Sequence, residues 1–332
     1  MPTTATIDDW AAQVRAGDIR ALARAVTAVE NRNSEGEALL RTLFPHTGRA
    51  LRIGVTGAPG TGKSTLVDQL AAFYRSQSKT VGIVAVDPSS PFTGGAILGD
   101  RIRMQAHAGD EGVFIRSMAA RGFLGGLAQT AGDVCLLLDA AGKDRIVIET
   151  VGVGQGEVEI ARLADCTVVV LIPGMGDEIQ NLKAGLMEIA DVFVLNKADV
   201  PDAGQFEQGL RAVLELMPAR DGWRPPVVRT VATENNGIAD LAGEIENFAA
   251  HRANFPATER QLAYWKEWLL RFLQIKLLDR ALGSAAGEQK FDELAEEVAN
   301  HKMDPYAAVD RILEGADVEG AANPQPRGGK RS

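Results

Sequence analysis

Apolar positions recur along this chain with two different periods. From residue 6 to about 44 they fall at helical spacing, with Ile7, Trp10 and Val14 followed by Leu22, Ala25, Val26 and Val29, which predicts a helical segment. From 51 to about 250, short strand-length runs (51–56, 80–86, 113–115, 145–148, 167–172, 192–195 and 227–231) alternate with helical patterns. Such alternation predicts a doubly wound, mostly parallel α/β sheet covered by helices on both faces, with ligands gathered at the carboxyl ends of the strands. A strong helical stretch follows over 258–282 (Leu262, Trp265, Leu269, Phe272, Leu273, Lys276) and a further one over about 289–314. The expected organisation is a helical extension (1–48), an α/β domain (49–255), a helical arm (256–314) and a tail (315–332). The tail's Gly, Pro, Arg and Lys content predicts disorder.

The first strand runs straight into chemistry. Gly57, Ala58, Pro59, Gly60, Thr61, Gly62, Lys63 and Ser64 form a complete G-x-x-x-x-G-K-S loop, and a helical pattern (Leu66, Leu70, Phe73) follows it. This strand–loop–helix context identifies a phosphate-binding loop. Its glycines let successive N–H groups curl inward onto phosphate oxygens, and the helix start adds its positive dipole end. Lys63 is expected at the β- and γ-phosphates, the Ser64 hydroxyl on Mg²⁺, and Thr65 beside the nucleotide.

A second motif names the base. Asn196-Lys197-Ala198-Asp199 follows the strand at 192–195 and matches N-K-x-D. A carboxylate at Asp199 can accept both the N1–H and the exocyclic amino group of guanine, a donor pair that adenine lacks. Asn196 is expected to brace the loop or meet the base, and the Lys197 stem to cover one ring face. Val231, Ala232 and Thr233, after the next strand, offer a backbone N–H for guanine O6.

Composition narrows the picture slightly. At 332 residues the chain fits one large α/β domain with extensions. A net charge of −9 argues against a general nucleic-acid or anionic-membrane surface. Cys135 and Cys166 sit in apolar segments without metal-ligand neighbours and read as core thiols of a reducing compartment. The polar first residues, including Asp8 and Asp9, carry no signal-peptide pattern, and no segment has the length and apolarity of a membrane span. Cytoplasm is the expected compartment, with an organellar matrix the alternative.

Catalytic candidates lie between the two motifs. Asp87 ends the strand at 80–86, where it can orient water or a metal-bound water. The polar loop beyond it carries Asp100, Arg101 and Arg103; the acid suits a metal shell, and either arginine suits charge developing on a transferring phosphoryl group. The strand at 145–148 ends in Glu149-Thr150-Val151-Gly152-Val153-Gly154-Gln155. Glu149 takes the acidic place of a D-x-x-G segment, its longer arm reaching Mg²⁺ through water. The Gly152 N–H can report a γ-phosphate. Residue 153, a water-orienting Gln in some GTPases, is Val, and Gln155 is out of register. Slow intrinsic hydrolysis, completed by a partner or a second subunit, is therefore expected.

Together these segments, with Asp87-Pro88-Ser89-Ser90 and Gly94-Gly95 through Ile97-Leu98-Gly99-Asp100, resemble the MeaB/ArgK-type P-loop GTPases. The likeness covers about residues 5–280. It implies a chaperone that attends adenosylcobalamin-dependent methylmalonyl-CoA mutase or a related acyl-CoA mutase, protecting and reactivating it and gating cobalamin loading. The cobalamin would be held by the mutase, an adenosyltransferase is a possible further partner, and the homodimer is made with the C-terminal helices. The stretch 173–185 resembles the family's third switch, which gives Asp177, Gln180 and Lys183 coupling roles. Two departures, Pro91-Phe92 with Arg101 and the stretch 117–126, suggest a client other than the usual one. Competing readings are a small-molecule or transport-system kinase on the same loop, a nickel- or other metal-delivery GTPase, and a binding module without turnover. Metal delivery calls for a Cys/His set, whereas His46, His107, His251 and His301 are scattered.

Overall fold

The structure is a computed structural model that describes residues 4–87, 107, 109–119, 126–150, 163–174, 184–255, 259–283 and 285–321. It falls into two compact units, 1–256 and 257–332.

Seven strands form the sheet of the first unit: β1 (Leu51–Thr56), β2 (Val81–Asp87), β3 (Val113–Ala119), β4 (Arg145–Thr150), β5 (Cys166–Leu171), β6 (Val192–Leu195) and β7 (Val227–Arg229). All pairs are parallel, in the order β3-β2-β4-β1-β5-β6-β7. The strand before the phosphate loop is thus central, flanked by β4 and β5. Parallel strands need crossovers, and among the described residues four of them are the helices α4 (Lys63–Ser76), α5 (Gly126–Ala140), α6 (Ala184–Ile189) and α7 (Ala203–Leu216), with α8 (Ile238–Ala253) after β7.

Strand alternation serves two cores. Val168, Val170, Val192 and Val194 face α4 and α8, joining Leu66, Leu70, Leu241 and Ile245. Val169, Leu171, Phe193 and Leu195 face the other way, onto Phe206 and Leu210 of α7. Burial on both faces is why these strands read as continuous apolar runs rather than alternating ones.

The amino-terminal segment is three helices rather than one: α1 (Thr4–Arg15), α2 (Ile19–Glu30) and α3 (Ser34–Leu43). Asp18 and Asn33 stop and restart the helix by capping Ala21 N–H and Gly36 N–H, both at 2.7 Å. The extension packs on α5 and is tied to the sheet domain by polar contacts as well. Glu30 pairs with Arg116 of β3, and the buried Asp139 carboxylate accepts the N–H groups of Gly48, Arg49 and Ala50 just ahead of β1.

The second unit contains α9 (Glu259–Leu282), α10 (Ala285–Ala299) and α11 (Pro305–Ala321). The pattern over 289–314 resolves into two helices, and the last continues past Gly315, the expected start of the tail, to Ala321, with no proline to stop it before Pro324. Along α9, Trp265 meets Trp268 edge-to-face, Trp268 stacks on Phe272, and Lys276 lies over the Phe272 ring. Leu262, Leu269, Leu270, Leu273, Leu277 and Leu278 are each more than half exposed. No described helix is long and apolar enough to cross a membrane.

Candidate nucleotide site

The carboxyl edge of the sheet brings together the ends of β1, β4, β6 and β7. At its centre the phosphate loop closes tightly on itself. The Lys63 ammonium, 5 % exposed, donates to the carbonyls of Gly57 (2.8 Å) and Ala58 (2.9 Å), and Thr61 Oγ1 donates to Ala58 O at 2.9 Å. The helix α4 starts at Lys63 itself, so its first N–H groups open into the loop. Thr65 is exposed on the first turn.

The second cluster joins α4 to β4. Ser64 Oγ donates to Glu149 Oε1 at 2.5 Å, and Glu149 is 5 % exposed. The register explains the meeting: Glu149 lies opposite Val55, two residues before the loop begins. One residue on, Thr150 Oγ1 donates to Thr56 Oγ1 at 3.1 Å, linking the segment ahead of Gly152 to the strand that launches the phosphate loop. A hydroxyl and a buried carboxylate in contact are the hard-oxygen donors that Mg²⁺ takes, so the residues present fit that ion. Asp87 closes β2. Asp100, Arg101, Arg103, Gly152, Asp177, Gln180 and Lys183 lie outside the described residues.

At the base end, Asn196 braces rather than points outward. The side chain is buried; Nδ2 donates to Thr61 O at 2.8 Å, and Oδ1 accepts from Thr230 Oγ1 at 3.0 Å and from Ala232 N–H at 3.2 Å. One carboxamide thus joins the phosphate loop, the end of β7 and the turn that follows it. The fit is close, because a β-carbon at Gly62 (φ +88°) would stand 2.5 Å from Asn196 Nδ2. Lys197 adopts φ +55° and donates from Nζ to Gly60 O at 3.0 Å, so its stem spans from the base turn to the phosphate loop. Asp199 is exposed on the same turn. Of the three candidates for guanine O6, Ala232 has its N–H directed to Asn196, Val231 donates to Asn236 O, and Thr233 is exposed at the surface of the turn. Thr230 escaped the sequence reading; its only signal is its place as a hydroxyl at the last step before the turn.

Comparisons with known proteins agree with this geometry. The family described as Methylmalonyl Co-A mutase-associated GTPase MeaB matches residues 22–286. A relative from Pyrococcus abyssi (strain GE5 / Orsay) is 47 % identical over 317 residues, covering 92 % of this chain and 96 % of its own. GTPase ArgK of Escherichia coli (strain K12) is 35 % identical over 326 residues, covering 95 % and 98 %. The crystal structure of LAO/AO transport system kinase superimposes with a TM-score of 0.70 at 28 % identity, covering 96 % of this chain and 99 % of that one. The chain therefore belongs to the MeaB family of P-loop GTPases.

Proposed function

We propose that this GTPase is a nucleotide-gated chaperone for an adenosylcobalamin-dependent acyl-CoA mutase, methylmalonyl-CoA mutase or a relative. The observation that carries the reading is the Asn196 carboxamide, which ties the phosphate loop and the base turn into one site, in a chain of a family described as mutase-associated. Within the site, Asp199 reads guanine with a backbone N–H of the 231–233 loop, and the Lys197 stem covers the ring. Lys63 exchanges the Gly57 and Ala58 carbonyls for phosphate oxygens and, with the loop N–H groups, stabilises charge as water attacks the γ-phosphate in line. Ser64 and Glu149, with Asp87 and Asp100, would hold Mg²⁺, whose chemistry is to neutralise charge shared by the β- and γ-oxygens. Arg103 supports the transferring phosphoryl group, and Gly152 reports its presence.

Asp177, Gln180 and Lys183 couple nucleotide state to the mutase, which keeps the cobalamin; an adenosyltransferase supplies the cofactor form to be loaded. The leucine face of α9 is the self-association surface of a homodimer, because an apolar stripe of this length seeks cover. Leu269→Glu with Leu273→Glu should shift the protein to monomer in sedimentation equilibrium. The site has no water-orienting Gln at 153, so hydrolysis by the protein alone is slow.

The test is single-turnover GTP hydrolysis with and without each cobalamin-dependent mutase from the same source. A rate raised severalfold by one mutase supports the chaperone and names its client. A second reading, a small-molecule kinase, is favoured by the name of the related LAO/AO structure. Transfer of the γ-phosphate to a metabolite, with no response to any mutase, would establish that reading instead.

A further inference from the structure

The turn that carries Val231, Ala232 and Thr233 is gripped from its outer side by residues that belong to no nucleotide motif. The turn closes on itself through Val231 N–H to Asn236 O (3.1 Å) and Asn236 N–H to Val231 O (3.2 Å). Gly237 then passes directly under β7: its φ is +75°, and a β-carbon there would stand 2.0 Å from the Arg229 carbonyl oxygen. The far end of the turn is therefore packed directly against the Arg229 backbone.

Arg229 is fixed by α7. Its guanidinium pairs with Glu207, a carboxylate 9 % exposed that also holds Arg211 at 2.7 Å. Arg211 in turn donates to Val227 O at 3.1 Å, a second tie between α7 and β7. Burial alone would push the Glu207 carboxyl up; the two guanidiniums hold it below its ordinary value, so it stays charged and paired. The helix α7 begins at Ala203, a short step from Asp199. The Glu207–Arg229 pair thus connects the helix launched by one base-reading turn to the strand that launches the other.

We propose that Glu207 and Arg229 are positioning residues for guanine specificity: their ion pair, together with the Ala198 N–H to Thr230 O bond (3.1 Å) that joins the two turns directly, sets the separation between the Asp199 carboxylate and the Thr233 N–H, between which the base edge is held. Asn196 fixes the inner side of that turn and the Glu207–Arg229 pair its outer side. A recognition edge made of two separate segments discriminates only if both are held to within a fraction of an ångström. The proposal rests on the assignment of Asp199 as the reader of guanine. Among the described residues the Glu207 and Arg229 side chains bond to α7 and to each other rather than to the phosphate loop, so a nucleotide held only by its phosphates should not register their loss.

The experiment measures dissociation constants for GTP and for ATP on the full-length protein and on Glu207→Gln, Arg229→Gln and the double variant, with Asp199→Asn alongside. Each single change is expected to weaken GTP about tenfold while ATP stays within about twofold, and the double variant should be no worse than the poorer single, since both remove one interaction. Arg229 is half exposed, so Arg229→Gln is expected to fold and gives the answer alone if Glu207→Gln does not. Parallel losses for GTP and ATP, or additive single effects, overturn the proposal. Loss of guanine preference in Asp199→Asn with full preference in Glu207→Gln and Arg229→Gln overturns the brace and leaves the base assignment standing. Unchanged preference in all of them overturns both.

Discussion

At the phosphate end of the candidate site the motif is eight consecutive residues (57–64), and Lys63 donates to two carbonyls of its own loop. At the base end the 196–199 motif is joined to distant segments: Asn196 reaches back to Thr61, 135 residues earlier, and forward to Thr230 and Ala232. The phosphate end can be right while the base end is wrong, because one depends on local backbone geometry and the other on strand register. A triphosphate is common to every nucleoside triphosphate, so its receptor needs charge and N–H groups but no discrimination. Guanine must be told from adenine, and that takes groups fixed at a set distance by separate elements.

Four substitutions probe this division. The largest effect is expected from Lys63→Ala, which should lower single-turnover hydrolysis by about 10²–10³-fold and weaken GTP and ATP alike; a selective loss of GTP would erase the distinction between the two ends. Next comes Asn196→Ala, the one change that should damage both ends. It strands the Thr61 carbonyl and the Ala232 N–H in a buried setting, and we expect GDP affinity to fall about 100-fold together with a lower melting temperature. Preserved stability and affinity would show that the carboxamide is not the link.

Asp199→Asn should act on the base alone, weakening GTP about 50-fold against xanthosine triphosphate, whose 2-oxo group replaces the amino donor. Competition binding reads this directly, and equal weakening of both nucleotides would move base recognition elsewhere. The smallest expected effect is that of Ser64→Ala, about a tenfold rise in the Mg²⁺ concentration that supports half-maximal GTP binding. Base preference should not change. A shift in GTP-over-ATP preference in that variant would mean that the two ends are mechanically one.

Legibility in the sequence followed the same division. The phosphate loop could be read from its eight residues because its function needs only backbone dihedrals and a helix start, both set locally. The alternation of apolar runs gave the layered parallel sheet because both faces of every central strand must be covered. Asn196 and Asp199 were visible as a motif, but the choice of Asn196 between bracing and base contact was not: it depends on how near the phosphate loop comes to β6. Thr230, Glu207 and Arg229 were not visible at all. Threonine, glutamate and arginine are ordinary surface residues until strand pairing and helix packing bring them together. The amino-terminal helices show a milder case, since their apolar spacing is helical in the sequence, whereas the breaks depend on the caps made by Asp18 and Asn33.

The helices α8 and α9 mark the same limit. Both carry apolar residues at helical spacing, yet Ile238, Leu241, Ile245 and Phe248 are buried against the sheet while six leucines of α9 stand exposed. A periodic pattern states that a face needs cover and is silent on what supplies it. By itself, the sequence determined the helical or strand character of each segment, the layering and the presence of both nucleotide motifs, because these follow from local dihedral preferences and from the cost of exposing apolar surface. Only the tertiary structure decided which distant side chains became neighbours of the 196–199 and 231–233 turns. That is a matter of register and crossover geometry, in which a shift of one residue changes every partner.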